Sequence, residues 1–168
     1  MIYITSWSDL YPVAERVGAS HVISLLGVEG TAARPDGVLP ENHLSLAVDD
    51  IAMDIAGYAA PGRRHVEELI AFARDWQRQG PIICHCYAGI SRSSAAAMIL
   101  LALYNPGRER EAAVRLRAAG EHIQPNRLII RHADDLLGLD GALIDAVQAI
   151  GPGDFSNGAR PVYVSIEL

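Results

Sequence analysis

Hydrophobic positions along the chain fall into short apolar runs, which predict strands, and stretches of 3.6-residue periodicity, which predict helices. The predicted strands are 2–5, 20–26, 43–48 and 82–85. The predicted helices are 8–17, 62–79, 92–104, 108–119, 125–137 and 140–150. Because strands alternate with helices, the pattern predicts an α/β fold with a small, mostly parallel central sheet flanked by helices.

The same pattern predicts a single domain. The 168 residues are enough for one substantial hydrophobic core, and no internal repeat or linker divides them. Residues 1–150 contain all the predicted helices, followed by a stretch rich in glycine and proline. Residues 151–168 are interpreted as a C-terminal extension that can add an edge strand through 161–166.

Charge narrows the range of partners. The net charge is −6, and all 14 cationic side chains other than histidine are arginines. Nucleic-acid binding requires a clustered basic surface, so no nucleic-acid partner is expected. The arginines between 108 and 117 alternate with glutamates, which favours a solvated helix face over a docking patch.

Other features restrict the location and the class of site. No apolar run approaches the roughly 20 residues of a membrane span, and the first residues do not have the pattern of a secretory signal. With only Cys84 and Cys86, a disulfide scaffold is not expected. The histidines show no metal-ligand spacing, so neither a metal nor a cofactor is expected. The sequence therefore favours a protein of the reducing cytoplasm with no membrane partner.

Residues 85–93, His-Cys-Tyr-Ala-Gly-Ile-Ser-Arg-Ser, carry the strongest chemical signal. They lie between a predicted buried strand and a predicted helix, where backbone N–H groups and the helix N-terminus create a site for an anion. A thiol at Cys86 would be favoured there as thiolate, and Arg92 could hold two phosphate oxygens while the sulfur attacks phosphorus. A buried structural cysteine is the alternative, but Gly89 and Arg92 favour catalysis.

This segment resembles the active-site signature of the cysteine-dependent protein tyrosine phosphatases, in the form typical of the dual-specificity branch. The resemblance extends more weakly over residues 45–137. It implies a dual-specificity phosphatase-like fold and a cysteinyl-phosphate intermediate. It also implies that the loop binds phosphate, sulfate or vanadate through residues 87–92 (Tyr87, Ala88, Gly89, Ile90, Ser91 and Arg92).

A general acid is required because the leaving oxygen needs a proton and water must later lose one. Candidates are Asp49, Asp50 and Asp54. In the family that the chain resembles, the acid is the second of two residues after a strand, which favours Asp50. The separation of 36 positions from Asp50 to Cys86 exceeds the usual spacing, and the excess is expected around 57–61. The alternative is that these aspartates only cap or solvate a turn.

Three neighbouring residues have predicted supporting roles. By the resemblance, Ser93 assists departure of the Cys86 thiolate, whereas a plain first-turn serine is its alternative role. His85 is expected to anchor the loop through backbone hydrogen bonds. Cys84 is interpreted as a buried core thiol, with a redox partnership with Cys86 as the less favoured alternative because disulfide geometry is rare at this spacing.

These features predict a phosphatase that acts on phosphotyrosine in proteins, with phosphoserine and phosphothreonine as further substrates. The loop has neither the lysines typical of phosphoinositide-directed relatives nor the His and Asn of RNA triphosphatases. Two alternatives stay open: a phosphatase of a small metabolite, nucleotide or lipid phosphate, and a catalytically weak phosphopeptide-binding module. A rhodanese-type sulfur transferase does not fit the pattern of the loop.

Overall fold

The computed structural model describes all 168 residues, and a five-stranded sheet lies at its centre in the order β3-β2-β4-β1-β5. Its strands are β1 (Ile2–Thr5), β2 (His21–Leu26), β3 (His43–Ala47), β4 (Ile82–Cys86) and β5 (Val162–Val164). The first four are parallel, and β5 pairs antiparallel with β1. The predicted small, mostly parallel sheet is confirmed, and β5 attaches the C-terminal segment to its edge.

Six helices accompany the sheet. They are α1 (Leu10–Val17), α2 (Arg63–Trp76), α3 (Arg92–Tyr104), α4 (Glu109–Ala119), α5 (Arg127–Leu137) and α6 (Ala142–Ala149). The predicted helix 62–79 extends three residues beyond the C-terminal end of α2, because Gln77 and Arg78 adopt left-handed conformations with φ of 46° and 60°. None of the helices is both long enough and apolar enough to cross a membrane.

The two faces of the sheet are covered unequally. One face packs against α1, where Leu10 and Val13 join Val22 and Ile83 in a cluster of 7 buried residues. The opposite face contributes to a core of 35 buried residues that includes all the other helices. Helix α3 is buried from Arg92 to Ala102 because its surface is apolar all round, so it lies between the sheet and the outer helices.

The prediction that the arginines of α4 face solvent is wrong for Arg117. Its guanidinium donates hydrogen bonds at 2.8–3.0 Å to four backbone carbonyls, those of Ile123, Ile150, Gly151 and Pro152. These carbonyls lie before α5 and after α6, where no regular structure satisfies them. Arg117 therefore ties together two segments that are distant in the chain, instead of facing solvent.

The carboxyl ends of β1 to β4 lie at one edge of the sheet, as their parallel register requires. Thr5 pairs with His85, Leu25 with Cys86 and Leu26 with Ala47. Open α/β sheets bind ligands at this edge. The segments that follow the four strands therefore meet where the sequence predicts the phosphate site.

Candidate active site

A cleft of about 800 Å³ opens at this edge of the sheet. Each of the four parallel strands contributes the residues that directly follow it. The lining residues are Trp7 after β1, residues 26–30 around the end of β2, Asp49, Asp50, Gly57 and Tyr58 after β3, and Tyr87 and Arg92 after β4. The cleft therefore assembles the predicted loop and two of the three candidate acids from separate parts of the chain.

One side of the 86–92 loop is fastened to the segment that follows β1. Cys86 is the last residue of β4 and only 1% exposed. The Trp7 N–H donates a hydrogen bond of 3.1 Å to the Tyr87 carbonyl. Gly89 adopts φ of +74°, and a Cβ there would lie 2.7 Å from the Ser6 nitrogen. Gly89 is thus required both by its backbone conformation and by its close approach to β1.

The other side of the loop is fastened to the segment before α5. The Gln124 N–H donates to the Ile90 carbonyl at 3.2 Å, and the Asn126 N–H donates to the Ser91 carbonyl at 3.1 Å. Neighbouring segments therefore bind the carbonyls of Tyr87, Ile90 and Ser91. None of the N–H groups of residues 87–91 donates to a backbone carbonyl, which is the arrangement expected of an anion-binding loop.

Arg92 presents a fixed donor toward this loop. Its side chain is nearly buried, with 6% of the residue exposed, and Nη1 donates to the Val48 carbonyl at 2.7 Å. Its buried Nε has no hydrogen-bond partner. Because an unpaired buried donor is costly, this nitrogen fits a phosphate oxygen bound in the loop.

The thiol of Cys86 lies beside the hydroxyl of Ser93. Sulfur and oxygen are 3.2 Å apart, and Ser93 is fully buried at the start of α3. A hydroxyl at this distance can donate a hydrogen bond to a sulfur that carries negative charge. The structure thus brings Cys86, Arg92 and Ser93 together as the sequence predicts.

Asp50 lies at the mouth of the cleft, beside Arg92. Its Oδ1 accepts a hydrogen bond of 2.6 Å from the Ser91 hydroxyl and one of 2.9 Å from the Asn126 side-chain amide. Its Oδ2 is 3.9 Å from the Arg92 Nε. The side chain is partly exposed, so its carboxyl can reach both the loop and a ligand in the cleft.

Asn126 is a site residue that the sequence reasoning missed. Its amide oxygen caps α5 by accepting from the N–H groups of Leu128 and Ile129, while its amide nitrogen donates to Asp50 and to the Ile51 carbonyl. In the sequence, Asn126 follows Pro125 and directly precedes a stretch of helical periodicity. This position indicates an N-cap residue. The sequence offers no sign that the same amide also holds the acid loop.

The other two candidate acids are placed differently. Asp49 closes the loop that carries Asp50: its N–H donates to the Ala59 carbonyl and its Oδ2 accepts from the Ala59 N–H, both at 2.8 Å. The extra residues expected around 57–61 form part of this closed loop. Asp54 lies in a separate surface hollow with Pro61 and His132. Of the three, Asp50 alone has its carboxyl near Arg92.

His85 lies behind the loop in a buried polar chain. Its Nε2 is 2.6 Å from the Ser24 hydroxyl, which is also 2.7 Å from Nε2 of His43. The ring also lies beside the backbone of Cys86, and the predicted anchoring of the loop through backbone hydrogen bonds stays a prediction. The side chain of Ser24 in β2 holds the ring at Nε2. Burial, with His43 as the second cause, lowers the pKa of His85 to about 4.

This buried histidine makes stability dependent on pH. Between pH 6.5 and 4 the unfolded chain binds a proton at His85 that the folded protein does not, so stability falls as pH decreases through this range. We expect the free energy of unfolding to lose about 2 kcal/mol from this residue between pH 8 and 5. Urea unfolding at several pH values measures the loss. His85→Asn should show a smaller slope, and equal slopes in both proteins would contradict this prediction.

Cys84 lies on the core side of β4. It is fully buried within the main hydrophobic core and forms no disulfide. Burial raises the pKa of the Cys84 thiol far above its ordinary value, with the neighbouring Cys86 as the second cause. These observations fit the favoured interpretation of a core thiol.

The chain is similar in sequence to known phosphatases. A family model for protein-tyrosine phosphatase matches residues 59–130. MAP kinase phosphatase with leucine-rich repeats protein 3 of Dictyostelium discoideum is 26% identical over 68% of the chain. Tyrosine-protein phosphatase yvh1 of Schizosaccharomyces pombe is 26% identical over 77%. The matches span only 12% and 37% of these relatives' own lengths.

Solved structures show the same fold. The human tyrosine phosphatase-like serine/threonine/tyrosine-interacting protein matches with a TM-score of 0.63 and 18% identity, over 83% of this chain and 92% of that one. DUSP15 matches with a TM-score of 0.62 and 19% identity, over 92% and 94%. PTPMT1 in complex with PI(5)P matches with a TM-score of 0.57 and 16% identity, over 83% and 94%.

The three comparisons agree with the geometry of the site. The matched range 59–130 contains the whole Cys86 loop, Ser93 and Asn126. The solved structures share the arrangement of sheet and helices that positions this loop. The chain is thus similar to protein-tyrosine phosphatases over residues 59–130, and it has the fold seen in dual-specificity phosphatases.

Proposed function

We propose that this protein hydrolyses phosphate monoesters, with phosphotyrosine in proteins as the main substrate, through a cysteinyl-phosphate intermediate. One observation carries the proposal: the Cys86 sulfur, the unpaired Arg92 Nε and the Asp50 carboxyl converge on one loop whose N–H groups are free of backbone partners. Such a loop stabilises the charge of a transferring phosphoryl group.

In the first step the phosphate binds to the loop N–H groups and to Arg92. The Cys86 thiolate attacks phosphorus, and the bond between phosphorus and the ester oxygen breaks. Asp50, protonated at its carboxyl, gives its proton to the leaving oxygen. The phosphoryl group is then attached to sulfur, and the alcohol or phenol departs.

In the second step a water molecule attacks the phosphorus atom of the intermediate. Asp50, now a carboxylate, takes the proton from that water, and the bond between phosphorus and sulfur breaks. The electron pair returns to the Cys86 sulfur. The Ser93 hydroxyl, 3.2 Å away, donates a hydrogen bond to the sulfur as it regains its negative charge. Inorganic phosphate leaves, and the enzyme is restored.

The walls of the cleft favour an aromatic ester over a short aliphatic one. Cys86 is almost fully buried at the start of the loop, whereas Tyr58 and Tyr87 are exposed and line the cleft. A phosphotyrosine side chain is long enough to bring its phosphate to the loop while its ring packs against these aromatic side chains. Phosphoserine is shorter and has no ring to bury, so we expect it to be the poorer substrate.

A second candidate is a phosphatase of a small metabolite, nucleotide or lipid phosphate. One related structure, PTPMT1, is described in complex with PI(5)P. The charges in the cleft oppose a ligand with several phosphates, since Glu29, Asp49 and Asp50 line it together with Arg92 as the single cationic side chain. Like charges at such distances weaken the binding of polyanions. A substrate with one phosphate ester and neutral or cationic neighbouring groups fits this cleft better than a ligand with several phosphates.

The proposed mechanism also assigns a compartment. A nucleophilic thiolate works only while it stays reduced, which favours the cytoplasm.

We expect phosphate release without added metal from phosphotyrosine peptides, and more slowly from phosphoserine peptides. The assay compares these peptides with nucleoside monophosphates and phosphoinositides at equal concentration, in the presence of a metal chelator. Release confined to nucleotides or phosphoinositides would replace the proposed substrate class. If nothing is hydrolysed while phosphopeptides still bind, the binding-module alternative is correct.

A further inference from the structure

An uncharged aromatic hollow lies next to the catalytic cleft. It has a volume of about 400 Å³ and is lined by Trp7, Ser8, Tyr11 and Tyr87. We call this hollow the aromatic shelf. Tyr87 is 68% exposed and Tyr11 is 42% exposed, although large apolar side chains are usually buried. The exposed Tyr11 ring needs a functional explanation, because it takes no part in the proposed function.

Local contacts hold the shelf in place. The rings of Trp7 and Tyr87 meet edge to face with centroids 6.2 Å apart, and the Trp7 N–H bonds to the Tyr87 carbonyl. The Tyr11 hydroxyl donates to the Ala33 carbonyl at 3.3 Å. A preformed apolar surface binds a side chain at a smaller entropic cost than a surface that becomes ordered only on binding.

The aromatic shelf is continuous with the catalytic cleft. Trp7 and Tyr87 line both, and Tyr87 directly follows Cys86 in the chain. A ligand whose phosphate lies in the loop therefore passes these two rings on its way out. Any group attached within a few residues of the phosphorylated side chain can reach the shelf, since an extended peptide advances about 3.3 Å per residue.

The surroundings decide what kind of group would bind there. No charged residue lines the aromatic shelf, whereas the cleft beside it is lined by Glu29, Asp49 and Asp50. A membrane surface rich in anionic lipid would be repelled by these carboxylates and by the net charge of −6. An apolar side chain of a peptide carries no such penalty.

We propose that the aromatic shelf binds a large apolar side chain of the substrate protein within three residues of the phosphotyrosine, and so contributes to substrate selection. This inference rests on the proposed function and adds a recognition element to it. It makes Tyr11 a specificity residue that lies outside the catalytic machinery.

The test uses phosphotyrosine peptides that differ only by Leu or Ala at each position from three before to three after the phosphotyrosine. For the wild type we expect Leu at one of these positions to raise kcat/KM about tenfold, mainly through KM. Tyr11→Ala should lose this preference. Tyr11→Phe keeps the ring and should retain it, as should Tyr163→Ala, which removes an exposed aromatic side chain from β5.

Turnover of a small aryl phosphate without flanking residues tests the proposed phosphatase activity separately from the aromatic shelf. Equal turnover of this compound by the wild type and the variants, together with loss of the Leu preference in Tyr11→Ala only, would support the aromatic shelf. An unchanged Leu preference in Tyr11→Ala would overturn it, as would faster turnover of phospholipid in anionic vesicles than of any peptide. If the wild type does not hydrolyse the aryl phosphate, the proposed function itself fails and the inference fails with it.

Discussion

Cys86→Ser is expected to lower turnover of an aryl phosphate by about 10⁴-fold or more, while phosphopeptides still bind. The substituted hydroxyl is a much weaker nucleophile at neutral pH, and the loop N–H groups and Arg92 that bind phosphate are unchanged. Steady-state kinetics measure the loss of turnover. Calorimetric titration of the variant with an intact phosphotyrosine peptide measures the retained affinity.

Cys84→Ala is the matched control for this variant. Cys84 lies on the same strand two residues earlier and is fully buried, but the hydroxyl of Ser93 contacts the sulfur of Cys86 and not that of Cys84. We expect the folded variant to keep nearly full activity, with some loss of stability from the smaller side chain. Turnover by Cys86→Ser at a rate close to wild type would rule out the cysteinyl-phosphate mechanism.

Asp50→Asn is expected to lower kcat by about 10²- to 10⁴-fold for esters with a poor leaving group. The substituted amide cannot give a proton to the leaving oxygen or accept one from water. Its oxygen can still accept the hydrogen bonds from Ser91 and Asn126, so the loop should keep its position. The defect should shrink as the leaving group becomes more acidic, because such an oxygen departs without a proton. A series of substituted aryl phosphates measures this dependence.

Asp54→Asn and Asp49→Asn distinguish the alternatives for the general acid. Asp54 lies in a different hollow, so its variant should behave as wild type with every leaving group. Asp49→Asn keeps an oxygen that can accept from the Ala59 N–H, and we expect a small effect that does not depend on the leaving group. A leaving-group dependence that appears in either variant and not in Asp50→Asn would reassign the acid.

The central parts of the fold and of the site are local in the chain, and for this reason they could be predicted. The predicted strands and helices follow from hydrophobic periodicity within a few turns. The proposed nucleophile, the proposed phosphate loop and Arg92 all lie between the end of β4 and the start of α3. Their mutual position is set by one strand, one loop and one helix, so the spacing of residue types was enough to propose them together.

Residues that support the site from a distance could not be found in this way. Asn126 contacts Asp50 across 76 positions of sequence, and Ser24 contacts His85 across 61. A buried hydroxyl or amide has the same local pattern whether it caps a helix or holds a catalytic loop. Arg117 is a similar case, because its charge predicts solvent whereas its acceptors come from segments after it in the chain.

The sequence alone determined the α/β class, and it predicted the loop with Cys86 and Arg92 as a phosphate site together with three candidate acids, because each of these depends on neighbours within one or two elements. Only the tertiary structure decided which acid lies beside Arg92 and which residues hold it there. It also decided that Trp7, Tyr11 and Tyr87 form one surface at the mouth of the cleft. The physical reason is that parallel strands bring their carboxyl ends together from distant positions, and the contacts made there depend on packing that no local pattern encodes.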